Sequence, residues 1–160
     1  MKFVRLGAAI AVLSAVALVG STAALASGAG AVSFTQPIHN LTEVQHDVVP
    51  CVGPATFTTV SNGALHVTFL TSGRGAGTFW FTITETGSIS VVSDDSSSPT
   101  FTGHFTFWDG DNGNLSSATS TTTIAVQLVG SDGSIIHGHF DQHVTITPTG
   151  ATISFDHLVC

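Results

Sequence analysis

Charge is scarce in this chain, and positive charge scarcest of all. Charged residues make up 8% of the 160 positions, and only three of them are lysine or arginine. Lys2 and Arg5 stand at the start; beyond them Arg74 alone faces ten acids, a formal charge of −9. Nucleic acid and anionic membrane surfaces are held by clustered Lys and Arg, so both are poor partners. Tyrosine is absent, and no lysine follows Lys2, so two side chains used in base chemistry are missing. Glu43 and Glu85 are the only glutamates, and nothing in their spacing pairs them as glycosidase carboxylates. There is no Gly-x-Ser-x-Gly elbow, no phosphate-cradling glycine loop and no HExxH. A Ser/His/Asp set assembled only by folding stays open, because triads are defined by geometry. Helical periodicity of apolar residues is also missing beyond the first segment.

That first segment reads as a secretory leader. Lys2 and Arg5 precede the apolar run Ala8 to Val19, and Ala24-Leu25-Ala26 fits small-x-small cleavage. A leader over 1–26 and a single domain over 27–160 are expected, with a secreted, extracellular product. No later stretch is long and apolar enough to span a bilayer. The two cysteines, Cys51 and Cys160, suit a disulfide in an exported chain.

Thr, Val, Ile and Phe dominate the remainder, and these are strand formers. Val32–Ile38 and Leu41–Asp47 are separated by His39-Asn40. Ala55–Val60 and Ala64–Thr71 meet at Asn62-Gly63, and Thr78–Glu85 and Ser88–Val92 at Thr86-Gly87. Phe101–Trp108, Ser117–Gly130, Ile135–Thr147 and Thr152–Val159 follow, with Asp109–Asn114 as a polar loop. Parity tests the hairpins. A three-residue loop at Ser131-Asp132-Gly133 sets Phe140 opposite Ile124 and Ile136 opposite Leu128. The same logic at Ser61-Asn62-Gly63 sets Phe57 opposite Val67. An even-sized loop at Thr149-Gly150 sets Val144 opposite Phe155, Ile146 opposite Ile153 and His143 opposite Asp156, and places His157 on the core face. The fold class is all-β: a single antiparallel up-and-down β-barrel of eight to nine strands, with a β-sandwich as the alternative. Closure is preferred because a chain without lysine lacks the usual protection for exposed edges.

Several short motifs resemble a group of uncharacterised secreted β-rich proteins from actinobacteria. They are Pro50-Cys51-Val52-Gly53, Thr102-Gly103-His104-Phe105-Thr106-Phe107-Trp108, Gly130-Ser131-Asp132-Gly133 and Phe155-Asp156-His157-Leu158-Val159-Cys160. The likeness spans nearly the whole chain after the leader. It implies export and a β-rich domain, and brings no activity and no site residues.

One cluster suggests chemistry. His137 and His139 lie two apart on a strand, so they share a face at ~6.6 Å and suit Zn²⁺ or Cu²⁺. Further ligands on that face are Asp141, His104 and His66, whereas His143 is ~13 Å along the strand. The competing reading is a solvated polar face whose histidines bond to Thr and Gln. Trp80 and Trp108 stand among threonines on the face away from the core, as contacts for a ligand or as covers for a glycine. Asp109–Asn114 has the oxygen-rich look of a Ca²⁺ loop but departs from the EF-hand pattern, and Asx turns are the simpler account. The leading expectation is a secreted, non-catalytic, ligand-binding or structural module with no cofactor, its partner a small molecule, glycan or protein. The alternative is an extracellular metal-binding protein or metal-dependent hydrolase centred on His137 and His139.

Overall fold

The computed structural model describes residues 26–28, 30–49, 51–114 and 116–160. They form β1 (Ala26–Gly28), β2 (Ala31–Val49), β3 (Gly53–Leu70), β4 (Phe79–Ser93), β5 (Phe101–Gly113), β6 (Ala118–Gly130), β7 (Ile135–Ile146) and β8 (Thr152–Val159). Each strand pairs antiparallel with the next, in one sheet ordered β1 to β8. Seven long strands carry the fold, and β1 adds three residues at its edge. The leader expected over 1–26 lies outside the described residues but for Ala26.

The chain is all-β, as its composition requires, but the strands are longer than their punctuation suggests. His39-Asn40, Asn62-Gly63 and Thr86-Gly87 are not turns. They lie inside β2, β3 and β4, which run on for 19, 18 and 15 residues. Phe57 therefore pairs with Val91 and Gln45 rather than with Val67. The physical reason is crowding. A Cβ at Gly63 would collide with the backbone of Thr84, and one at Gly87 with the backbone of Val60. These glycines let neighbouring strands approach where the sheet bends sharply. His39 and Asn40 form a bulge: two residues oppose Asn62, whose side chain accepts the Asn40 N–H at 3.0 Å, and Asn40 takes φ 49°.

The core lies on one face of this sheet. Ala55, Val91 and Leu128 are fully buried, with Ile89, Phe101, Phe105 and Val126 around them. The β6–β7 register is the expected one, Ile124 opposite Phe140 and Leu128 opposite Ile136. The β7–β8 register is not. It is shifted by one residue, so His143 faces Phe155, Val144 faces Ser154 and Gln142 faces Asp156. The connection is wider than a Thr-Gly turn: Thr147 N–H bonds the Ala151 carbonyl, and the Thr147 hydroxyl accepts the Ala151 N–H. The one-residue slip turns Ile153, Phe155, His157 and Val159 away from the core. Phe155 is left 60% exposed, and every residue of β8 is exposed.

The barrel is not closed. The sheet ends at β8, and among the described residues no ladder joins β8 to β1 or β2. A strand of eight residues cannot match an edge of nineteen, and barrel closure needs consistent strand lengths and stagger. The sheet nevertheless curls. Val49 and Val52, at the turn after β2, pack in one cluster with Leu128 and Ile136 of β6 and β7. Cys51 and Cys160 pin this end with a disulfide, Cα atoms 5.6 Å apart.

Candidate functional site

The bulge at Asn40 decides what enters the concave face. Before it, Val32, Phe34 and Ile38 share the face of Val67 and Phe69. After it the parity flips. Leu41, Glu43, Gln45 and Asp47 join the core face, opposite Ser61, Thr59, Phe57 and Ala55. Val44 and Val48 turn outward instead and are 67% and 49% exposed. A strand that points acids inward and valines outward breaks the ordinary pattern of hydrophobic alternation. Such local violations mark functional or strained sites.

The acids open onto a cavity of about 120 Å³. One wall carries Glu43, Gln45 and Asp47 from β2, with Thr59 and Glu85 beside them. The opposite wall is apolar: Phe57, Ile89, Phe105, Phe107, Ile124 and Val126. No lysine, arginine or histidine lines it. The hollow has a local cause, because Gly87 places no side chain between Ser61 and Phe105 in its row. Ser61, 1% exposed, donates its hydroxyl to Glu85 Oε2 and fixes that carboxylate, while Asp47 accepts the Val48 N–H at 2.7 Å. The two glutamates that sequence spacing leaves unpaired therefore line one cavity. The missing signal was the bulge, since a turn at His39-Asn40 conceals the change of parity.

Farther along the same face stand Asp109 and Asp111. Both belong to β5 and not to a loop; the turn is Asn114–Ser117, where Asn114 Oδ1 accepts the Ser116 and Ser117 N–H groups. Burial pushes the Asp109 carboxyl above the usual carboxylate range. The Thr122 hydroxyl opposes that shift, and the Asp111 charge adds to it. Asp111 Oδ1 is buried with no hydrogen-bond partner.

The outer face holds the histidines. His137 and His139 both lie on it, exposed, two residues apart on β7. His139 Nε2 meets Asp141 Oδ2 at 2.8 Å, and the Thr123 hydroxyl donates to Asp141 Oδ1 at 2.8 Å. The Thr123 bond, followed by that with His139, holds the Asp141 carboxyl below its usual range against some desolvation. His104 stands in the row of His137 with Gln127 between them, two strand spacings or ~10 Å away. His66 is bonded to Thr35 at 2.8 Å on β2. Among the described residues no three His, Cys, Asp or Glu side chains converge as a metal-binding group. His143 does not reach Asp156. It bonds Thr121 at 2.8 Å and stacks on Phe155, ring centroids 5.1 Å apart. His157 is exposed, opposite Asp141, and is not a core histidine. Trp108 lies over Gly110 of its own strand, where a Cβ would meet the ring at 2.5 Å. Trp80 is 43% exposed and about 13 Å along the sheet from Trp108, so the two do not form one aromatic platform.

Comparison of the chain with protein-family models, with curated proteins and with solved structures returns no match.

Proposed function

We propose that the chain is exported and acts outside the cell as a non-catalytic module that binds a small molecule in the concave cavity. The sheet is read as a barrel left open along the seam between β2 and β8. The carrying observation is the inverted pattern of β2, where a bulge turns Glu43, Gln45 and Asp47 toward an apolar wall and leaves Val44 and Val48 in solvent. Inward valines would bury more apolar area, at roughly 25 cal/mol per Å². Cavities with an apolar lining and a few converging polar groups are the usual form of a ligand site. The disulfide is compatible with an oxidising, extracellular setting. Intact mass of exported protein should give a chain beginning at Ser27; a retained leader contradicts export.

Titration of ¹⁵N-labelled protein with toluene tests the cavity. Saturable amide shifts are expected on β3, β5 and β6 around Phe57, Phe105 and Ile124, with His137 and His139 unmoved. Absence of saturable shifts up to the solubility of toluene overturns the reading.

A further inference from the structure

We propose that the cavity selects a small organic cation: a primary or substituted ammonium carried on one aromatic ring or a compact alkyl group. The inference rests on the cavity being the binding site and adds the class of ligand. Two observations on that cavity set the chemistry, and they are independent of each other.

Size comes first. At about 120 Å³ the cavity is somewhat smaller than an engineered apolar cavity of ~150 Å³ that holds benzene. One ring or a branched alkyl group fills it, and a sugar chain or a lipid tail does not fit. Phe105, Phe107 and Ile124 provide the apolar wall for that group.

Charge comes second. Glu43, Asp47 and Glu85 all line the cavity, and no cationic side chain lines it with them. Glu85 is already held by Ser61, which leaves Glu43 and Asp47 of β2 as the carboxylates that the ligand's cation addresses. They stand four residues apart on the same face of one strand, ~13 Å by the strand rise, and so bracket the mouth instead of crowding one point. An ammonium placed between them has its ring against the phenylalanines, whose π-faces also attract cations. The surrounding net charge of −9 raises the local concentration of any cation, but that effect is unselective and screened by salt. Selectivity has to come from the β2 carboxylates.

The test compares benzylammonium, benzyl alcohol and benzoate as probes by calorimetry at neutral pH in ~0.15 M salt. These share one ring and differ in charge. Benzylammonium is expected to bind at least about tenfold more tightly than benzyl alcohol, as a charge-assisted contact of ~1.4 kcal/mol would give, and benzoate not detectably. The double variant Glu43→Gln, Asp47→Asn should bring the ratio of benzylammonium to benzyl alcohol affinity to within about threefold and leave benzyl alcohol itself nearly unchanged. Each single variant should lower that ratio about threefold and serves if the double variant does not fold. Equal affinity of benzylammonium and benzyl alcohol for the wild type overturns the cation proposal and leaves the cavity reading standing. A ratio that survives both substitutions also overturns it, because overall charge would then be the cause. Failure of both probes to bind overturns the cavity reading and this proposal together.

Discussion

β2 and β6 both contribute to the interior of the same curled sheet, yet they obey opposite rules. On β6, Ile124, Val126 and Leu128 point inward and Gln127 points out, so the strand spends its apolar residues on the core. On β2 beyond Asn40 the acids point inward and the valines out. A fold selected only for stability would not contain the second strand. The contrast separates a supporting region, near Leu128 and the disulfide, from a region whose polarity makes sense only if something else occupies the space beside it.

The largest expected effect lies at the pinned end. The Cys51–Cys160 bond spans 109 residues of sequence, and the chain-entropy account gives ~4.7 kcal/mol for a loop of about 100. Reduction, or Cys51→Ser with Cys160→Ser, should lower the melting temperature sharply. An unchanged Tm would mean that the curl holds without the bond. Next is the direct contrast of the two strands. Leu128→Ala, at a site with no exposure, should cost about 2–5 kcal/mol in denaturant unfolding. Gln45→Leu, on the polar wall, should instead be neutral or stabilising by ~1 kcal/mol while impairing ligand binding. Comparable destabilisation by both would erase the distinction between the strands.

How much of this was readable in the residues differs from strand to strand. The parity of Ile124, Leu128, Ile136 and Phe140 determined the β6–β7 register, because a single loop choice joins apolar to apolar there. The cysteine pair was equally legible. Asn62-Gly63 and Thr86-Gly87 misled, since a glycine that permits a turn and a glycine that permits a close strand approach look alike in one dimension. The β7–β8 register failed for another reason. The five-residue turn depends on the Thr147 hydroxyl closing onto Ala151, a local bond with no signal in the Thr149-Gly150 pair. The two glutamates of the cavity stayed hidden because one bulge residue changes the face of everything after it. The His137–His139 pair was visible and lies on one face as expected, with Asp141 joined to His139 and His104 two strands away.

The smallest effect concerns Asp109, on the same interior face. Its carboxyl is raised by burial, so the folded state binds that proton more tightly than the unfolded chain does. Its favourable contribution is present at low pH and is lost as pH rises through the folded-state value. Asp109→Asn should therefore raise stability slightly at pH 7, and the difference should shrink toward pH 4. A variant less stable at pH 7 would mean that the Thr122 hydrogen bond outweighs the burial of charge.

The central claim is that the concave face, not the histidine face, receives a ligand. Intermolecular NOEs to bound benzylammonium test this most directly. The account predicts contacts from the ring protons to the methyl groups of Ile89, Ile124 and Val126, with none to the side chains of His137 or His139. Ring contacts confined to the histidine strand, with the three methyl groups silent, would contradict it.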